Sequence, residues 1–136
     1  MEITVYQAQG KVPVTVLQPH GDLDASNYKD LIAKAQEVHD AGAQDILLDL
    51  SDTPYISSSG LVALHRIALM LRGEELTEPE SGWGDLHAIR RDVDRGLQEH
   101  FKLLNPQPSV DNVLEMAGFK HFMEIYTDLE TAVASF

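Results

Sequence analysis

Ile3 and Val5 alternate with polar residues at the start of the chain, the pattern of a half-buried strand. Gln9-Gly10-Lys11 turns the chain, and Val12-Pro13-Val14-Thr15-Val16-Leu17 reads as a second strand, so the two predict a hairpin. Pro13 cannot donate to a ladder and suits an early or edge position. Pro19-His20-Gly21-Asp22 reads as the turn that closes this strand. Tyr28, Leu31, Ile32, Ala35 and Val38 then recur at helical spacing, with Ser26 or Asn27 as the cap and Gly42 placed to end the helix. Ile46-Leu47-Leu48-Asp49-Leu50 is a short apolar run of the kind that forms a buried central strand. Asp52, Thr53 and Pro54 break it. Leu61, Leu64, Ala68 and Leu71 follow as the face of a second helix ending near Arg72-Gly73.

The third strand-and-helix unit begins at Phe101-Lys102-Leu103-Leu104, which Asn105-Pro106-Gln107-Pro108 ends. Ser109 is placed to cap a helix carrying Val110, Val113, Leu114 and Ala117, with Gly118 as its stop. Phe122 to Tyr126 reads as the last strand. Thr127-Asp128-Leu129-Glu130 has the capping-box pattern of a final helix through Val133.

The order is ββαβα, an insertion, then βαβα. Strands joined through helices imply parallel neighbours, and the hairpin adds an antiparallel pair. The expectation is a single α/β domain over residues 1–136: a mixed sheet packed with helices. The insertion, at about 73–100, is acidic and punctuated by Pro79, Gly82 and Gly84. Within it Leu86, Ile89, Val93 and Leu97 give a narrow apolar stripe, consistent with a short amphipathic helix. The segment reads as a surface insertion or, with Trp83 as anchor, as a partner-binding or lid element.

Composition narrows the function. The 136 residues contain no cysteine, so a disulfide framework, a thiolate metal site and a cysteine nucleophile are all absent. The formal net charge is −12, which argues against nucleic acid as a partner, since phosphate binding requires clustered Lys and Arg. The same charge suits solubility and permits steering toward a basic protein. No apolar run is long enough to cross a bilayer, and Met1-Glu2-Ile3-Thr4 begins no signal-like segment. A cytoplasmic protein without membrane association is expected. The six histidines show no paired ligand spacing, so no metal site and no cofactor are expected. His65 is expected at the surface or partly buried.

The candidate chemistry lies in Ile56-Ser57-Ser58-Ser59-Gly60-Leu61. This hydroxyl-rich loop follows the central strand and opens the second helix, where free backbone N–H groups and a positive dipole end favour an anion. One serine suffices as an N-cap, with Gly60 relieving crowding; three hydroxyls in a row exceed that need.

Together with their surroundings these residues resemble the STAS domain (sulfate transporter and anti-sigma factor antagonist) in its free-standing bacterial form. The resemblance rests on Gly21-Asp22-Leu23-Asp24 before the first helix and Ile46-Leu47-Leu48-Asp49-Leu50-Ser51 as the central strand. It rests also on the serine loop itself, and on Asn105-Pro106 followed by Val113-Leu114-Glu115-Met116-Ala117-Gly118-Phe119. It covers nearly the whole chain outside about 73–100. It implies an anti-sigma factor antagonist in a partner-switching pathway, not an enzyme. The implied partner is an anti-sigma factor that is also a serine kinase of the GHKL type. The family loop usually reads Asp-Ser-Ser-Gly or Asp-Thr-Ser-Gly, so by resemblance Ser58 is the phosphoacceptor and Ser59 its neighbour. Ser57 stands where Asp is usual and brings no charge. The implied partner site comprises Asp24, Ser57, Ser58, Ser59, Gly60 and Leu61.

Other readings remain. A non-phosphorylated scaffold or a sensory, ligand-binding subunit of a regulatory complex would suit Ser57 and the long insertion. Asp22-Leu23-Asp24 also has the paired aspartates of a magnesium-dependent phosphatase of the haloacid-dehalogenase type, one a nucleophile and one an acid/base. Those enzymes need an apolar strand running straight into the first Asp, and here Pro19-His20-Gly21 intervenes. A serine hydrolase lacks its Gly-x-Ser-x-Gly motif.

Overall fold

A computed structural model describes residues 1–73 and 97–136. The insertion helix expected around Leu86, Ile89 and Val93, and the anchoring role of Trp83, fall outside the described residues.

The elements are β1 (Glu2–Gln9), β2 (Pro13–His20), α1 (Tyr28–Asp40), β3 (Ile46–Asp49), α2 (Ser58–Leu71), β4 (Phe101–Leu104), α3 (Pro108–Met116), a 3₁₀ turn (Phe119–His121), β5 (Ile125–Tyr126) and α4 (Leu129–Ala134). They build one five-stranded sheet in the order β1-β2-β3-β4-β5. β1 pairs antiparallel with β2, and the remaining neighbours are parallel. Because each crossover steps to the next strand in the same direction, α1, α2 and α3 all fall on one face. Their buried residues, Leu31, Ala35, Leu64, Ile67, Val110 and Leu114 among them, pack with Leu17, Ile46, Leu48, Phe101 and Leu103 into the larger core. The alternate residues Val14, Val16, Leu47 and Leu104 point to the other face, where Ala132 and Val133 of α4 cover them. β3 is buried on both faces, which explains its unbroken apolar run.

Several local details differ from the sequence expectation. β2 continues through Pro19 and His20, which pair with Ile3 and Glu2 across the hairpin, so the turn starts at Gly21 (φ +101°). Pro13 is the first residue of β2, where a missing donor costs least. Asn27 occupies the α1 cap position, but its side chain does not cap. It accepts from the Asp24 N–H and donates to the Asp22 carbonyl, bracing the preceding loop. Ser109 is not the cap of α3. The cap is Gln107 with Pro108 following, and the Ser109 hydroxyl donates instead to the Pro54 carbonyl at 2.6 Å. The last strand shortens to Ile125–Tyr126, because Phe122 and Met123 are drawn into the core behind the 3₁₀ turn. Asp128, not Thr127, caps α4 by accepting from the Thr131 N–H. His65 is buried, 2% exposed, within a helix that is covered on nearly every side.

Candidate functional site

Parallel strands place their carboxyl ends at one edge of the sheet, and the loops that leave them gather there. β2 ends in the 21–27 loop, β3 in the 50–57 loop, and β4 in the 105–107 loop. The first two are stitched together by their backbones. Gly21 N–H donates to Asp52 O, Leu23 N–H to Tyr55 O, and Ser57 N–H to Leu23 O, at 2.9 to 3.0 Å. Leu23 and Ile56 thereby form a short parallel bridge with both side chains in the core. The third loop adds side chains. Gln107 Nε2 donates to Ser51 O, and Ser109 to Pro54 O. On the remaining side the His20 ring bridges Asp52 and Thr4, tying β1 to the 50–57 loop.

α2 starts from this fixed loop. Ser57, in extended conformation, is its N-cap, and its hydroxyl accepts from Gly60 N–H at 3.4 Å. Ser57 therefore takes the capping role, leaving Ser58 and Ser59 in the first turn. Ser58 is exposed, whereas Ser57 and Ser59 are half-buried. Gly60 and Leu61 lie beneath the surface, so a partner resting on this loop meets the serines first. Gly60 is required by close approach: a Cβ there would stand 2.4 Å from Ile56 Cγ1 and 2.9 Å from Leu23 O. The Ser58 hydroxyl thus sits on the first turn of a 14-residue helix, at its positive end.

Asp24 joins the serine loop through Leu23, whose carbonyl takes the Ser57 N–H. Its carboxylate accepts from the hydroxyl and the N–H of Ser26. Those bonds hold it below the ordinary carboxylate range. A group so biased toward the ionised form suits a fixed negative charge better than an acid that must donate a proton near neutrality. Asp22 lies on the same loop and is exposed. Among the described residues no group of three His, Asp or Glu side chains is placed to hold a metal ion. No described helix is long and apolar enough to cross a membrane.

The sequence reading missed the bracing groups, Gln107, Ser109 and the His20–Asp52 pair. Each is an ordinary polar residue in a loop, and only the fold brings it to the site.

The STAS domain family model matches residues 5–76. No curated protein sequence matches the chain. Among solved structures, a Thermotoga maritima protein assigned as an anti-sigma factor antagonist is similar, with a TM-score of 0.69 and 19% identity, over 96% of this chain and 90% of that one. An anti-sigma factor antagonist from Mycobacterium paratuberculosis gives 0.63 and 16%, over 98% and 93%. The anti-sigma factor antagonist SpoIIAA is similar both in its unphosphorylated form (0.53, 16%, over 96% and 93%) and in the phosphorylated form of the Bacillus protein (0.50, 17%, over 97% and 96%). The mixed five-stranded sheet packed with helices is the fold these proteins share. With more than half of its residues matched by the family model, the chain belongs to the STAS domain family.

Proposed function

We propose that this protein is an anti-sigma factor antagonist that binds a kinase-type anti-sigma factor through the Ser57–Ser59 loop, and that phosphorylation of Ser58 switches the binding off. The observation that carries the reading is the exposed Ser58 hydroxyl on the first turn of α2, in a loop fixed on three sides. The similar structures named for anti-sigma factor antagonism, one of them phosphorylated, support it. The activity is binding, not catalysis, and it belongs in the cytoplasm.

The switch follows from charge and volume. A phosphate on Ser58 adds up to about two negative charges and three acceptor oxygens. The first-turn N–H groups of α2 favour an anion, so the modified protein keeps its fold. Asp22, Asp24 and Asp52 stand on the two stitched loops, so the new charge enters surroundings already negative. A partner packed tightly on the neutral hydroxyl would have to desolvate a dianion or withdraw. A penalty of about 3 kcal/mol on that contact is roughly a hundredfold in affinity. Ser57 matters here because it supplies a cap without a charge. That favours one second reading, a STAS scaffold bound to its partner irrespective of phosphorylation.

The test is recovery of partners from the native host on wild-type, Ser58→Ala and Ser58→Glu baits, with mass spectrometry of both the bound proteins and the wild-type Ser58 peptide. A GHKL-type kinase held by wild type and Ser58→Ala and lost with Ser58→Glu is the expected result. The same partner on all three baits would establish the scaffold instead.

A further inference from the structure

Tyr55 is an aromatic residue left 51% exposed three positions before Ser58. Its neighbours are fixed: Ile56 is buried at 1%, the Tyr55 carbonyl accepts from Leu23 N–H, and the Pro54 carbonyl accepts from Ser109. Thr53, fully buried, donates its hydroxyl to Pro19 O. The ring therefore stands on a backbone that three hydrogen bonds, to Leu23, Ser109 and Pro19, and the buried Ile56 hold in place. Binding needs little further ordering of that backbone, and a Tyr side chain has few torsions to fix.

The two stitched loops that carry the ring hold three carboxylates, Asp22, Asp24 and Asp52, the last of them paired with the His20 ring. Asp52 lies on the same loop, and Asp22 and Asp24 lie on the loop bonded to it. Lys29, in the first turn of α1, is the lysine or arginine nearest in sequence to the two stitched loops. A second copy of this chain, with a formal charge of −12, would bring like charges together at this edge. Charge complementarity instead calls for a basic surface.

We propose that Tyr55 is the anchor of the partner interface, inserting its ring into an apolar pocket of a protein whose rim carries Lys or Arg opposite Asp22, Asp24 and Asp52. The proposal rests on the reading of the Ser58 loop as a partner surface and names the chemistry of that partner. Ser58 then acts as the gate beside the anchor: the ring supplies the affinity, and the hydroxyl decides whether the two surfaces close. Met116, 89% exposed at the far end of α3, is an equally apolar residue outside this edge and serves as the control.

The experiment uses the full chain in its native host, with photoreactive benzoylphenylalanine at position 55 or at position 116. The crosslinked protein is identified, its crosslinked peptide mapped, and its dissociation constant measured in purified form for wild type, Tyr55→Ala, Met116→Ala and Ser58→Glu. The expected result is one adduct from position 55 that maps to a segment flanked by Lys or Arg. Affinity should fall about 30-fold or more with Tyr55→Ala, stay within about twofold with Met116→Ala, and weaken between about 50 and 300 mM salt. Three results would each overturn the proposal: no adduct at position 55, an adduct with a second copy of the chain, or Tyr55→Ala binding as wild type does while melting normally. Binding that depends on Tyr55 but ignores Ser58→Glu would instead remove the phosphorylation switch and leave the anchor standing.

Discussion

Leu23 and Ile56, distant in sequence, form a parallel bridge that fuses the loop before α1 to the loop before α2. Both side chains are buried, and Gly60 packs against the pair with no room for a side chain. Any substituent at Gly60 must push the bridge apart. Gly60→Ala should therefore destabilise the protein by about 1–3 kcal/mol, the range for overpacking a tight site. Thermal denaturation checks this, and amide exchange at Leu23 and Ser57 should show lost protection.

Ser57 caps α2 with a single long bond to Gly60 N–H. Ser57→Ala should cost about 0.5–1 kcal/mol, the lower part of the capping range, and Ser57→Asp should recover that loss through the helix dipole. Equilibrium urea denaturation of the three proteins measures both. If Ser57→Ala melts as wild type does, the first turn of α2 is satisfied by something other than this hydroxyl.

The Ser109 hydroxyl reaches Pro54 from another element, so its loss should be felt across the loop and not in α3, whose cap position is Gln107. Ser109→Ala should reduce stability by about 1 kcal/mol. The distinguishing readout is hydrogen exchange. The amides of Leu23 and Thr53, which bond within the stitched loops, should exchange faster while those of α3 stay unchanged.

A second polar assembly lies on the opposite face of the sheet. Lys102 of β4 is 5% exposed, and its ammonium donates to Glu124, Ser135 O and Ser135 Oγ at 2.9 to 3.0 Å. Its Nζ also lies 4.8 Å from the centre of the Phe136 ring. The bond from Lys102 holds the Glu124 carboxyl below its usual range, against the opposing effect of burial, with the Tyr126 hydroxyl assisting. A carboxyl whose folded pKa is lowered contributes stability that is fully present above its unfolded value, about 4.3. That contribution disappears as pH falls through the lower folded pKa. Glu124→Gln should therefore lower the melting temperature by a few degrees at pH 7, and the gap to wild type should close below about pH 4. Melting curves from pH 7 to pH 3 check the sign. A gap that persists unchanged at pH 3 would mean that the glutamate contributes packing and not charge.

Local patterning determined much of this molecule. Period-two alternation, helical spacing, and punctuation by Gly42, Gly118 and the Asp52–Pro54 break specify elements whose signals lie within a few residues of one another. The sequence also placed a hydroxyl-rich turn at the end of a buried strand and the start of a helix, because strand, turn and cap are contiguous. What it could not decide were the partners of groups able to bond locally or at a distance. Ser109 and Asn27 both have side chains suited to capping, and both were drawn instead into the loops beside them. Lys102 carries a charge within a short strand, and it is buried because the carboxyl-terminal helix folds back over that face of the sheet. The bridge between Leu23 and Ile56 carries no local signal. Only the parallel pairing of β2 with β3 brings the two loops side by side, and that register depends on the core as a whole. Elements follow from neighbours along the chain; the site's rigidity follows from contacts across it.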